Sequence, residues 1–282
     1  MTPSPLDEHG RMTGRVLVVT GAARGMGAAI VRAALKSQAN VVAIDRSWSD
    51  IDPYWQSAED SRAELKAQAD HALMLEADVC DPEAIANACE TALARFGSID
   101  ALVNGAVLLQ HHLFPPTGRT TILDTSNEHW QQMFGANTFG PLNVIRAFAP
   151  HMMQKESGSI INLSTRGSIT NYIRPDSREQ PYMASRAALV SLSLYLAEEL
   201  RGSNIAVNVA FAGHSQMSGA AAVDDARREL GMSVSRRVRP DHIAPLALHL
   251  ASCDARSGPT GQMLWALRWN LLHGLGDTDE WY

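Results

Sequence analysis

Residues 15–47, RVLVVTGAARGMGAAIVRAALKSQANVVAIDRS, constrain the fold more than any other part of the chain. Val16 to Thr20 is a short run of β-branched and apolar residues, the pattern of a strand buried on both faces. A glycine-rich turn follows, then a helical stretch with apolar residues at Ile30, Ala33, Ala34 and neighbouring positions. NVVAIDR is a second strand. Parallel strands joined through a helix require a right-handed crossover, so the stretch is a βαβ unit.

The alternation continues to the end of the chain. HALMLEAD reads as a strand, and Asp81 to Phe96 as a helix with Asp81 at its N-cap and Pro82 in its first turn. SIDALVNG is a strand, Asn137 to Lys155 is mostly helical, and GSIINLST is a strand. Pro181 to Arg201 is a long helix, NIAVNVAF a strand, Pro240 to Ser252 a helix and GQMLWAL a last strand. The expected class is α/β, a single-domain doubly wound parallel sheet of about seven strands with helices on both faces. Residues 1–13 are expected to form a flexible arm and residues 14–282 one domain. Val107 to Arg119, Arg166 to Gln180 and Gly213 to Arg239 break the alternation. Each follows a strand, at the carboxyl edge where such sheets bind ligands, and they are expected to form the walls of a pocket, with 213–239 as its lid.

Composition excludes some partners. The net charge of −6 over 282 residues argues against general nucleic-acid binding, which needs a basic surface. No apolar run approaches the roughly 18 residues of a membrane span, and because MTPSPLDEHGRMTG carries neither a basic nor an apolar stretch, no signal peptide is expected. The scattered Cys80, Cys89 and Cys253 suit a reducing cytoplasm and give no zinc spacing.

TGAARGMG sets Gly21, Gly25 and Gly27 between a strand and a helix. Such a turn lets backbone N–H groups approach a pyrophosphate, with the positive end of the helix facing the anion. Asp45 ends the second strand, where a carboxylate can accept both hydroxyls of the adenosine ribose and repel a 2′-phosphate. That favours NAD over NADP, although Arg46 and Arg24 are cations that could serve NADP.

Several further stretches accompany the glycine turn. TGAARGMG resembles T-G-x-x-x-G-x-G, and ADV, with Asp78 and Val79, resembles an adenine-contacting Asp-Val. LVNGA, with Asn104, Gly105 and Ala106, resembles L-V-N-N-A-G, and Asn137 in GANTFG matches a helix asparagine. YMASRAAL resembles Y-x-A-S-K-A-A-L, IAVNVAFAG resembles V-N-x-x-x-P-G, and GSIINLST and SGPTGQML match the fifth and last strands. Together they identify the chain, roughly from Gly14 to Leu267, as similar to the one-domain short-chain dehydrogenases/reductases, whose fold is Rossmann-type. The resemblance implies hydride transfer between a nicotinamide and a small alcohol or ketone, in a homotetramer or homodimer. It implies a tyrosine that exchanges the proton, a hydroxyl that holds the substrate oxygen, a cation that lowers the tyrosine pKa, and an asparagine that holds a water. Carried onto this chain, those residues are Tyr182, Thr165, Arg186 and Asn137, with Ser164 a rival to Thr165. The dinucleotide contacts it implies are Gly21, Arg24, Gly25, Met26, Gly27, Asp45, Arg46, Asp78, Val79, Asn104, Gly105, Ala106, Tyr182, Arg186, Gly213 and Ser215.

The chain departs from the family at the nicotinamide end. Arg186 stands where the family has lysine. It keeps a fixed positive charge that can act on Tyr182 by Coulomb attraction, but with a pKa above about 12 it cannot pass protons. Gly105, Val107, Ala212, Met217, Leu267, Arg268 and Trp269 also differ from the family residues, with Ser215 or Ser218 as substitutes for the threonine replaced by Met217. A non-redox lyase, isomerase or dehydratase and a non-catalytic NAD-binding protein are therefore alternative readings. His111 and His112 read as pocket-lining residues rather than metal ligands, for want of further ligands. His214 reads as a substrate contact or a lid residue. Arg174, Asp176 and Arg178 read as a solvated charge run or a recognition loop, and Trp265 and Trp269 as packing or interface residues.

Overall fold

Each of the seven apolar runs forms a strand, and all seven lie parallel in one sheet. The computed structural model describes residues 12–49, 58–115, 120–169, 179–213, 220–231, 234, 236–275 and 281. The strands are β1 (Val16–Thr20), β2 (Asn40–Asp45), β3 (Ala72–Glu76), β4 (Ala101–Asn104), β5 (Gly158–Thr165), β6 (Ile205–Ala212) and β7 (Met263–Trp265). Their order is β3-β2-β1-β4-β5-β6-β7. Strand order therefore reverses between β1 and β4, and a crevice opens there at the carboxyl ends.

Successive strand residues face opposite sides, so the sheet divides its apolar residues between two cores. Leu17 and Val19, Val41 and Ala43, Ala101 and Val103, and Ile161 and Leu163 belong to one core. Val16 and Val18, Val42 and Ile44, Leu102, and Ile160 belong to the other. The first core is closed by α1 (Gly25–Lys36), α8 (Ala244–Ala251) and α9 (Ala266–Leu272). The second is closed by α3 (Pro82–Phe96), α5 (Gly140–Lys155) and α6 (Tyr182–Arg201).

Local chemistry sets the helix ends. The Asp81 carboxylate accepts from the Glu83 and Ala84 amides at 3.0 and 3.1 Å, Pro82 opens α3, and Gly97 closes it in the left-handed region at φ 76°. Three expected boundaries shift. Pro181 lies just outside α6 as its N-cap. Asn137 lies in a π-helical turn, Gly135–Phe139, which precedes α5. Pro240–Ile243 is a 3₁₀ turn running into α8. Three further helices are α2 (Glu59–Ala67), α4 (Asn127–Phe134) and α7 (Ala220–Glu229), the last inside the segment expected to be an irregular lid. Most of the expected N-terminal arm lies outside the described residues. Met12, expected in that arm, is instead fully buried in the first core, and its carbonyl accepts from the Arg15 amide. Among the described residues no helix is long and apolar enough to cross a membrane.

Candidate active site

The carboxyl ends of β1, β2, β4, β5 and β6 bring the expected residues to one edge. At the reversal point, backbone packs on backbone. A Cβ on Gly27 would lie 2.0 Å from the Gly21 oxygen, and one on Gly21 would lie 2.7 Å from the Ala106 nitrogen. The Thr20 hydroxyl accepts from the amides of Gly105 and Ala106 at 3.2 and 3.3 Å, joining the β1 and β4 turns. Arg24 is the N-cap of α1 but makes no side-chain cap bond, and among the described residues no side chain accepts from the amides of Gly25 or Met26.

Asp45 closes the next strand, half-buried. Its carboxylate accepts from the Ala23 amide at 3.0 Å and the Ser47 amide at 3.4 Å. Burial raises its pKa, while those two amides, the Arg24 guanidinium and the Arg46 amide hold it down. Arg24 donates to the carbonyls of Ser47 and Ser49, and Arg46 is exposed. Past β3, the Asp78 carboxylate accepts from the Cys80 amide at 2.8 Å. Val79 packs against Gly140, where a Cβ would lie 2.6 Å from the valine methyl, and its carbonyl accepts from Asn143 at 3.0 Å.

Asn104 is the last residue of β4. Only 1 % of it is exposed. Its Nδ2 donates to Asn162 at 2.8 Å, and Asn162 Nδ2 donates to Ser193 at 2.8 Å. The side chain supports β4 and β5 from within, and the neighbouring Gly105 and Ala106 form the turn beside the crevice. Asn137 is a clamp. Its Oδ1 accepts from the Leu108 amide at 2.8 Å, and its Nδ2 lies 2.9 Å from the Leu108 carbonyl and 3.1 Å from Ser185 Oγ. Ser185 Oγ in turn donates to the Tyr182 carbonyl at 2.7 Å, and Thr138 Oγ1 donates to the Ser185 carbonyl at 2.9 Å. The π turn and the loop after β4 thus grip the first turn of α6.

Tyr182 and Arg186 lie one turn apart on that helix. Tyr182 is half-buried, and no hydrogen bond engages its hydroxyl among the described residues. Arg186 is 3 % exposed. Its Nη2 donates to the Leu163 carbonyl, while Nε and Nη1 are buried with no partner among the described residues. Burial pushes the Tyr182 phenol above its usual value. The Arg186 guanidinium opposes that rise, and the Glu179 carboxylate adds to it. The cation thus acts in the expected direction, lowering the phenol, while burial outweighs it here. Burial also lowers the Arg186 pKa, but a guanidinium keeps its charge at working pH. Of the two hydroxyls at the end of β5, Ser164 is buried and donates to the Arg186 carbonyl at 3.4 Å, whereas Thr165 is half-buried at the strand's edge.

Gly213, at the end of β6, donates its amide to His242 Nε2 at 2.9 Å, and His242 Nδ1 lies 2.6 Å from the Arg239 carbonyl. Ser215 lies outside the described residues, as do His214, Met217, Ser218, Arg174, Asp176 and Arg178. His112 Nδ1 accepts from the Leu109 amide at 2.9 Å. Trp269 stacks on His273 with ring centroids 4.2 Å apart, and the Arg166 guanidinium lies 3.7 Å from the Trp265 ring, so both tryptophans pack.

Sequence reasoning missed Gln110. Its Nε2 donates to the Gln180 carbonyl at 2.8 Å, and its Oε1 accepts from the Tyr182 amide at 3.3 Å, fixing the start of α6 from the opposite wall. It missed His242 as well. Neither residue belongs to a motif whose spacing marks it.

The short chain dehydrogenase family profile matches residues 15–227. Fluoren-9-ol dehydrogenase of Terrabacter sp. (strain DBF63) is 38% identical over 281 residues, covering 97% of this chain and 76% of its own length. Galactitol 2-dehydrogenase (L-tagatose-forming) of Cereibacter sphaeroides is 33% identical over 261 residues, covering 90% and 94%. The crystal structure of gox2181 is similar with a TM-score of 0.76 at 22% identity, covering 92% of this chain and 96% of that one. At that identity the likeness concerns the fold.

Proposed function

The chain belongs to the short chain dehydrogenase family, and from that premise we propose that it is an NAD-dependent oxidoreductase interconverting a secondary alcohol and its ketone. The observation that carries the reading is the corner shared by Tyr182 and Arg186. There a phenol lies beside a buried cation, and among the described residues neither the phenol oxygen nor the guanidinium Nε and Nη1 has a hydrogen-bonding partner. Buried donors without acceptors are costly, and a ribose diol offers two oxygens to fill them.

The rest of the crevice fits the other end of a dinucleotide. The turn of Gly21, Arg24, Gly25, Met26 and Gly27 would hold the pyrophosphate, and Asp78 and Val79 the adenine. Gly105, Ala106, Gly213 and Ser215 would line the nicotinamide end, and Asn104 would support them from behind. Asp45 would take the ribose hydroxyls. Arg24 is committed to two carbonyls of the β2 loop, which supports NAD over NADP. When bound, the cofactor takes up or supplies the hydride.

The chain's own residues handle the proton. In the oxidising direction the Tyr182 phenolate accepts the proton of the alcohol O–H, and the Thr165 hydroxyl donates a hydrogen bond to the substrate oxygen. Arg186 favours the phenolate by fixed charge, and Asn137 holds the helix turn that carries the tyrosine. In the reducing direction the phenol returns the proton to the forming alkoxide. The relative named fluoren-9-ol dehydrogenase supports a bulky aryl secondary alcohol as the first substrate to try. A homotetramer or dimer in the cytoplasm completes the reading. The exposed Met263, Leu271 and Leu272 at the β7–α9 end, and Tyr195 on α6, support self-association.

The test follows reduced-nicotinamide absorbance with NAD and a panel of secondary alcohols that includes fluoren-9-ol. Tyr182→Phe should lose activity by at least about 100-fold while dinucleotide binding, read by fluorescence, persists. Tight NAD binding with no turnover across the panel would overturn the oxidoreductase reading.

A further inference from the structure

A helix opens with amides that have no partner inside it, and a side chain at the cap normally accepts from them. In α6 the N-cap is Pro181, which carries no acceptor on its side chain and makes no cap bond. Two of the opening amides find partners close by. Met183 donates to the Glu179 carbonyl at 2.9 Å, and Ala184 donates to Gln180 Oε1 at 3.2 Å. The first amide, that of Tyr182, donates instead to Gln110 Oε1 at 3.3 Å, across 72 residues of chain. Gln110 Nε2 donates to the Gln180 carbonyl at 2.8 Å. A primary amide can serve both groups, whereas a carboxylate only accepts and an ammonium only donates. On the other side of the residue, the Tyr182 carbonyl accepts from Ser185 Oγ at 2.7 Å, and Ser185 Oγ accepts from Asn137 Nδ2 at 3.1 Å. Asn137 also holds the backbone of Leu108, two residues before Gln110. The Tyr182 main chain is therefore gripped at its amide and at its carbonyl, and the two grips close into one circuit through the loop after β4.

The geometry points to Gln110 as a positioning residue for Tyr182: it is the N-cap of α6, supplied from the opposite wall of the crevice. The phenol oxygen is the far end of the tyrosine side chain, so a small turn of the Tyr182 backbone becomes a larger displacement where the proton is exchanged. A displacement of about 1 Å at a reacting group can cost on the order of 100-fold in rate. Gln110 is uncharged and acts on Tyr182 through the main chain, so its contribution is one of place. The inference rests on Tyr182 being the proton-transfer group proposed above.

The experiment reads the bond and the reaction separately. The five tyrosines of the chain are labelled with ¹⁵N at the amide, and Tyr182→Phe identifies the resonance of interest. Gln110→Met keeps the length of the side chain and removes both polar atoms. Gln110 is half-buried on a 3₁₀ turn, so the substitution opens no core cavity. Hydrogen exchange at the Tyr182 amide should quicken about tenfold. The turnover number should fall by roughly 10- to 100-fold, while KM for the alcohol and the affinity for NAD stay near the wild-type values. Gln110→Glu keeps the acceptor, so its Tyr182 amide should exchange as slowly as in the wild type. A Tyr182 amide as protected in Gln110→Met as in the wild type overturns the inference, because Gln110 then does not cap α6. So does an unchanged turnover number, and so does a loss of NAD affinity as large as the loss of turnover, the mark of a general loosening. Should Gln110→Met fail to fold, Gln110→Glu decides: a protected amide supports the cap and a quickened one overturns it. A Tyr182 amide freed by Gln110→Met in a protein that turns over no alcohol supports the cap while sinking the oxidoreductase reading, so the two fail separately.

Discussion

Replacing an amine by a guanidinium at Arg186 separates two tasks that a lysine performs together. The fixed charge survives, but proton passage through the side chain is closed. Burial has already raised the phenol, and Arg186 is the group that restrains it. Arg186→Met should therefore raise the Tyr182 pKa further and move the rise of alcohol oxidation to higher pH. For every pH unit that the midpoint climbs, the phenolate population at neutral pH falls about tenfold, so the loss should be large there and shrink in alkali. A kcat/KM profile against pH checks this, and a loss equal at every pH would mean that the residue acts only by holding the cofactor. His242 makes the opposite kind of residue-scale case. The Gly213 amide donates to Nε2, which requires the neutral ring, and burial lowers the ring's pKa. A depressed folded-state pKa means that stability is present above the unfolded value of about 6.5 and is lost as pH falls through the folded value. The slope is at most about 1.4 kcal/mol per pH unit. Melting temperature followed across mildly acid pH should show this step in the wild type and a smaller one in His242→Gln.

At the scale of elements, the π turn Gly135–Phe139 joins α4 to α5 and widens the backbone so that Asn137 faces inward with all its polar atoms used. Asn137→Ala would strand the Leu108 amide and carbonyl in a partly buried place, at up to about 1–3 kcal/mol for each lost partner. Asn137→Asp would keep the acceptor and lose the donor. Both should lower the melting temperature and the turnover number while dinucleotide affinity, set at the far end of the crevice, changes little. Calorimetry and fluorescence titration separate the two effects. The same element shows where sequence reading stops. The strands were legible because runs such as Val16 to Thr20 and Asn40 to Asp45 carry β-branched residues of strand length between turn signals. Asp81 was legible as a cap because its chemistry is local. The π turn was not, because GANTF carries no mark of an extra residue in a turn. The helix Ala220–Glu229 was hidden in a stretch rich in charge and small residues, whose partners Glu179 and Arg237 lie elsewhere in the chain. Tyr182, Arg186 and Asn137 could be found by position in a motif. Gln110 and His242 could not, because each acts on backbone that only the tertiary fold brings near. The bond from Asn104 to Asn162 was not legible, since the sequence does not tell which strand-end side chains pair across β4 and β5.

At the scale of the molecule, the sheet has no half that could unfold alone. Every central strand contributes residues to both cores: Leu17 and Val19 to one, Val16 and Val18 to the other. Loss of either layer of helices would expose strands that the opposite layer needs. A single cooperative thermal transition is expected, with near-ultraviolet and far-ultraviolet signals coincident. The crevice proposed to take a dinucleotide straddles the β1–β4 reversal in the middle of that sheet, where Gly21, Gly27 and Gly105 leave no room for a side chain. A ligand there binds only the folded chain. Saturating it at about 100 times its dissociation constant should add ~2.7 kcal/mol of stability. For a chain of this size that is a rise of roughly 5 °C or more in the midpoint. NAD should give the larger rise at equal concentration, because the half-buried Asp45 carboxylate meets a 2′-phosphate with like charge. Asp45→Ser should narrow or reverse the difference, since it removes that repulsion and leaves Arg24 and Arg46 nearby. A wild-type protein stabilised equally by NAD and NADP would show that Arg24 leaves the Ser47 and Ser49 carbonyls for the phosphate, and the preference for NAD would fall with it.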